Sequence, residues 1–249
     1  MSILKLENVS VSFDGGKRYA LKDFSMDLHQ NQILAIVGES GSGKTTLLRT
    51  IAGLEQIVSG KIWINDVLVS TPQKTLVPQK RKVSLVFQDF ALFPHLNVAQ
   101  NIGFGLKKLS DDKLNEILSQ ISLQGFEDRY PAELSGGQQQ RIAIARSIVN
   151  GPHLLMMDEP FSNLDVLIRS QIRTMIIDWV KSTSTPLIIN THKLEDALYM
   201  ADILVILQNG QLIEKGKPEV LFNQASHPYT QALFSNLKES AQLIINKFK

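Results

Sequence analysis

The sequence predicts an α/β fold: a mostly parallel β-sheet with flanking helices, extended by antiparallel strands at the N-terminus and by an inserted helical segment. Three observations carry this. Short unbroken apolar runs, "ILAIV" (33–37), "VSLVF" (83–87), "LLMM" (154–157), "LII" (187–189) and "ILVIL" (203–207), have the character of strands buried on both faces. Helical stretches separate these runs, the alternation a parallel sheet requires. The stretch from 95 to 149 holds no such run.

Taken in order, "LKLENVSVSF" (4–13) alternates apolar and polar residues, as a half-buried strand does. "ILAIV" runs into the Gly-rich "GESGSGKTT" (38–46) and then into the helical "TTLLRTIAGL". Ser110 caps a helix on which Leu114, Ile117, Leu118 and Ile121 share one face, with Asp111 and Asp112 in its first turn. "LSGGQQQR" (134–141) opens a second helix, continued by the apolar pattern of "IAIARSIV". Residues 165–181 form an amphipathic helix whose Leu167, Ile168, Ile172, Met175, Ile176 and Trp179 point to a core. "QNGQ" (208–211) marks a hairpin. The organisation is therefore a core of residues 1–94 and 150–223, a helical subdomain over 95–149, and a short tail over 224–249.

Composition narrows the function. With 249 residues the chain supports one large domain or two small ones. A net charge of +2, with no long Lys/Arg run, argues against nucleic acid as a partner. The absence of cysteine excludes disulfides, thiol catalysis and thiolate metal sites. No leader opens the chain and no apolar run is long enough to span a bilayer, although lying against a membrane stays open.

The chemistry-bearing residues sit at the ends of the apolar runs. Gly38, Glu39, Ser40, Gly41, Ser42, Gly43, Lys44, Thr45 and Thr46 fit a phosphate loop between strand and helix. Its amides cradle phosphates, Lys44 reaches the β and γ groups, and Thr45 holds Mg²⁺. The alternative is a plain flexible Gly/Ser loop. "LLMMDE" delivers Asp158 to the sheet edge beside Mg²⁺, and Glu159 one step further can polarise an attacking water. Alone, an Asp-Glu pair at a strand end is more often a surface turn. Gln88 can reach Mg²⁺ or water, His192 a γ-phosphate, and Phe13 an adenine ring. Taken alone, a Gln is more often solvated surface, a His more often structural, and an aromatic at a strand end more often core. The glycines of "LSGGQ" suggest a second anion site on the same chain.

In this order the segments resemble the ATP-binding cassette of ABC transporters, a phosphate-loop NTPase fold. Phe13 resembles the adenine-stacking aromatic of that family, "GESGSGKT" its Walker A loop and "VFQDFALFP" its Q-loop. "LSGGQ" resembles its signature motif, "LLMMDE" its Walker B strand, "SNLD" (162–165) its D-loop and His192 its switch histidine. One departure is Lys193, where the family often has Asp. The resemblance implies a head-to-tail dimer in which Ser135, Gly136, Gly137 and Gln138 bind the nucleotide of the partner chain. It implies ATP and Mg²⁺ as ligands, and Glu159, His192 and Gln88 as catalytic residues. It further implies separate membrane permease subunits and an external solute-binding protein, with the chain peripheral on the cytoplasmic face of the inner membrane. Exposed Phe90 and Phe93 are expected to dock into a permease helix. "FQDFALFPHLNVAQNIGFGL" is most similar to cassettes for ferric iron, polyamines, thiamine or sulfate, with ferric iron favoured. The short tail is not expected to form the C-terminal regulatory domain frequent in such importers. The rival is a cassette acting in DNA repair or translation, which the absence of a coiled-coil insertion and of a second cassette disfavours.

Overall fold

The chain begins with β1 (Ser2–Ser12), β2 (Tyr19–His29) and β3 (Ile33–Val37), followed by α1 (Lys44–Ala52). Strands β4 (Ser59–Ile64), β5 (Val67–Ser70) and β6 (Val83–Val86) precede helices α2 (Val98–Ile102), α3 (Asp111–Gln120) and α4 (Gly136–Ile148). Then β7 (Leu154–Asp158), α5 (Val166–Thr183), β8 (Leu187–Thr191), α6 (Leu194–Met200), β9 (Ile203–Gln208) and β10 (Gln211–Gly216) follow, and α7 (Pro218–Gln224) and α8 (Pro228–Lys247) close the chain. This computed structural model describes residues 2–162 and 164–247; Met1, Phe248, Lys249 and Asn163, inside "SNLD", lie outside the described residues.

The apolar runs assemble as one sheet in the order β10-β9-β3-β8-β7-β6, parallel throughout except for β10. Strands β3, β7 and β8 are buried at every position, because one face packs on α1 and the N-terminal strands and the other on α4, α5 and α6. The run 83–87 departs from expectation: β6 lies at the edge, and only Val86 is fully buried. A second, antiparallel sheet of order β2-β1-β4-β5 packs with α1 around Leu4, Phe24, Leu47 and Ile51. The alternation of β2 escapes a sequence reading because Asp23, at φ 49, inserts a bulge that shifts the period between Leu21 and Phe24.

Between residues 98 and 148 the described residues form helices and one short 3₁₀ turn, with their own apolar cluster around Val98, Ile102, Leu118 and Ile142. Ser110 caps α3 as expected, its hydroxyl accepting from the Lys113 amide. Within the short tail after Gln224, residues Pro228–Lys247 form α8, seated on the core by Phe234 at 2% exposure, with Phe222 edge-on at 5.5 Å.

The C-terminus of α1 ends on a buried cation that the sequence did not disclose. Arg81 donates to the carbonyls of Thr50, Ile51, Leu76 and Val69 and to the Ser70 hydroxyl at 2.7–3.3 Å. Burial pushes its pKa down to about 10, so it is still charged at neutral pH and complements the negative helix end. Gly53 makes room for it: a Cβ there would lie 2.4 Å from Arg81 Nε. Replacing Arg81 with Met orphans five acceptors and is expected to lower stability by about 3 kcal/mol in urea unfolding. A loss below about 1 kcal/mol would show that water replaces the guanidinium freely.

Candidate active site

The loop between β3 and α1 is shaped by what lies beneath it. A Cβ on Gly38 would fall 2.1 Å from the Leu207 carbonyl oxygen, and one on Gly43 would fall 2.4 Å from that of Ala20. Gly41 and Gly43 adopt φ of 81° and 107°. The Asn209-Gly210 hairpin turn braces the loop: the Gly210 amide donates to Ser42 O at 2.9 Å, and its carbonyl accepts from the Lys22 amide at 2.9 Å. Glu39, Ser40 and Gly41 face solvent. Lys44 is buried, and its ammonium donates to the carbonyls of Gly38 (2.8 Å) and Glu39 (2.9 Å). Burial holds that ammonium below the usual lysine range, while the nearby carboxylates of Glu159 and Asp158 oppose the shift.

Three adjacent strand ends meet this loop. Strand β8 lies between β3 and β7, so Asn190 stands beside Asp158 in register. Asp158 Oδ1 accepts from Asn190 Nδ2 and from the Thr45 hydroxyl, both at 3.1 Å. Asn190 is a site residue that the sequence reading missed; a lone amide within "LIIN" was the available signal. Glu159 turns out of the strand at φ 47, a left-handed conformation that costs a non-glycine residue about 1–3 kcal/mol. Its amide donates to Asn190 O at 3.1 Å. The turn brings Glu159 Oε2 to 2.5 Å from His192 Nδ1, a hydrogen bond between residues 33 positions apart.

The remaining expected residues fall into two groups. Val86 pairs with Met157, so Gln88 leaves the sheet at the same edge and is exposed. Phe13 is 67% exposed, not core, on the β1–β2 hairpin whose Ala20 underlies Gly43. Lys193 flanks His192 at the start of α6 and opposes the burial that raises the Asp196 carboxyl. Phe90 and Phe93 are half-buried, contrary to expectation. Arg146 ties the segment down by donating to the carbonyls of Ala91 (2.8 Å) and Phe90 (3.0 Å), and Phe93 stacks on Phe104. The exposed aromatics of this rim are Phe87 and Phe104.

The second glycine pair opens α4. Ser135 and Gln138 form a reciprocal capping box, Ser135 and Gly136 are exposed, and a Cβ on Gly136 would meet nothing within 4 Å. Gly137 serves a different end: its missing Cβ lets Ile168 of α5 approach, at 2.6 Å from the position it would occupy. Neither α1 nor α4 has an acidic residue in its first turn, so both present a positive helix end.

Together the bare loop, a buried ammonium, two oxygen ligands and a carboxylate–imidazole pair suit a nucleoside polyphosphate. The family model described as ABC transporter matches residues 21–162. The chain is 42% identical over 228 residues to the spermidine/putrescine import ATP-binding protein of Acetivibrio thermocellus, covering 89% of this chain and 63% of that protein. It is 38% identical over 244 residues to the sulfate/thiosulfate import ATP-binding protein of Nephroselmis olivacea, covering 95% and 69%. A dimeric ATP-binding cassette in a post-hydrolysis state, bound to ADP and Pi, superposes with a TM-score of 0.76 at 27% identity, over 86% of this chain and 98% of that one.

The loop glycines separate space from conformation. Gly38→Ala meets backbone and is expected to lose about 3 kcal/mol or more. Gly41→Ala has open space but positive φ and is expected to lose about 1–2 kcal/mol. Equal losses in urea unfolding would contradict this account of the loop.

Proposed function

The chain belongs to the ABC transporter family, and we propose that it is the ATP-hydrolysing subunit of an import system. The observation that carries this reading is the convergence of three strand ends, with Glu159 in contact with His192 above Asp158 and the phosphate loop. In the proposed mechanism the loop amides and Lys44 hold the phosphates, and Phe13 stacks on adenine. Thr45 and Asp158 place two hard oxygens 3.1 Å apart, a donor set that fits Mg²⁺ alongside phosphate oxygens, with Gln88 as a third ligand. Bound there, Mg²⁺ would neutralise developing charge on the phosphates. Glu159 accepts the proton of the attacking water, and His192 orients Glu159 and the γ-phosphate.

The same reading gives α4 to a second copy of the chain: Ser135, Gly136, Gly137 and Gln138 would complete the partner's nucleotide site. Residues 95–149 would act as a helical subdomain that passes closure to membrane permease subunits, with the contact at the Gln88–Phe93 rim through Phe87 and Phe104. The protein would then sit peripherally on the cytoplasmic face, working with an external solute-binding protein. No helix among the described residues is long and apolar enough to cross a membrane. The relatives above are named for polyamines and sulfate, not for the expected ferric iron, and the proposed cargo is a small solute.

The assignment of Glu159 is tested by Glu159→Gln, which fills the same space but cannot take a proton. Turnover is expected to fall by about 100-fold or more while ATP still binds. Turnover near the wild-type rate, measured by phosphate release, would remove Glu159 from the role of base.

A further inference from the structure

We propose that Tyr229, on the C-terminal helix α8, is a positioning residue for the phosphate loop, fixing the Gly38–Glu39 peptide that receives Lys44 and thereby setting affinity for nucleotide phosphates. The phenolic oxygen of Tyr229 accepts from the Glu39 amide at 3.3 Å, across 190 positions of sequence. The other edge of that same peptide group, the Gly38 carbonyl, accepts from Lys44 Nζ at 2.8 Å. One peptide plane is thus pinned from both sides, by the lysine and by a side chain from a different layer of the fold.

Beyond that peptide, the outer turn is held through the Glu39 carbonyl, which accepts from Lys44 Nζ at 2.9 Å and from the Ser42 amide at 3.1 Å. Glu39, Ser40 and Gly41 are exposed, and Gly41 is free of any neighbour within 4 Å of its Cβ position. A rotation of the Gly38–Glu39 peptide would carry the Gly38 carbonyl away from Lys44 and change where the ammonium rests. Tyr229 is well placed to resist it. Its helix is seated by Thr230, fully buried, and by Phe234. The turn before the helix is clamped where the Ser226 amide and hydroxyl both donate to Glu214 Oε1, at 2.8 and 2.6 Å. The Tyr229 amide itself donates to His227 Nδ1 at 3.2 Å. Burial pushes the phenol above its usual range, so at neutral pH it is an uncharged acceptor that adds no repulsion toward a polyphosphate.

The inference rests on the loop being an ATP site, and the experiment separates the two. Binding of ATP, ADP and adenosine to the full chain is measured by calorimetry for wild type and Tyr229→Phe, which removes the hydroxyl and keeps the ring. The expected result is a weakening of ATP and ADP by about threefold to tenfold, the value of one net hydrogen bond, with adenosine affinity unchanged. Equal ATP affinity in Tyr229→Phe and wild type overturns the inference, whether or not the melting temperature falls. An equal proportional loss for adenosine also overturns it, because that marks general damage to the site. A wild-type chain that binds no ATP overturns the functional reading and this inference with it.

Discussion

The structure depends on one constraint: a stretch of backbone at the end of a central strand must lie exposed over residues 39–41 while resting directly on other backbone. Side chains cannot supply that support, because any Cβ at Gly38 or Gly43 would enter another backbone. The support is therefore backbone against backbone. Leu207 of β9, Ala20 of β2 and the Gly210 turn each contribute a carbonyl or amide within contact of the loop. This explains why two sheets, a hairpin and the C-terminal helix all converge on so few residues. A loop braced on several sides loses little entropy when an anion arrives, which is the condition for tight binding by short contacts.

Strand order does the rest. Because β8 separates β3 from β7, the amide of Asn190 stands between the loop and the acidic pair and holds Asp158 toward Thr45. Glu159 then has to leave the sheet sharply, and the left-handed backbone at that residue is stabilised by the hydrogen bond its amide donates to the Asn190 carbonyl and by the one its carbonyl accepts from the Ser162 amide. Strain at this residue is set against the proximity of His192. The same arrangement costs the fold stability at Lys44, whose buried ammonium is bonded to two carbonyls, with the charges of Glu159 and Asp158 opposing the effect of burial.

Much of this was legible in the sequence, for identifiable reasons. Apolar runs bounded by Gly, Asp-Glu and Thr-His mark the central strands and their functional ends, since burial on both faces keeps each run apolar until the residues that reach the site. Asn-Gly at 209–210 marked the hairpin, though not that it would brace the loop. What the sequence hid is what depends on tertiary distance. Arg81 resembles any basic residue before a strand, yet it is 2% exposed, its charge held by four carbonyls and the Ser70 hydroxyl. Tyr229 meets Glu39 only because α8 folds back. Phe90 and Phe93 suggested an exposed patch, but Arg146, far along the chain, binds that segment and half-buries both rings.

In the proposed dimer, the bare loop before α1 and the glycine pair opening α4 are halves of two sites shared by two chains. Ser40 and Ser135 are both exposed, and the chain has no cysteine. A chain carrying Ser40→Cys and Ser135→Cys on the Glu159→Gln background can therefore be oxidised with ATP and examined on a denaturing gel. A disulfide needs α-carbons within about 7 Å, so it forms only where the halves meet. The account predicts an ATP-dependent covalent dimer that neither single-cysteine variant gives. A faster-migrating monomer, linked within one chain, would contradict it.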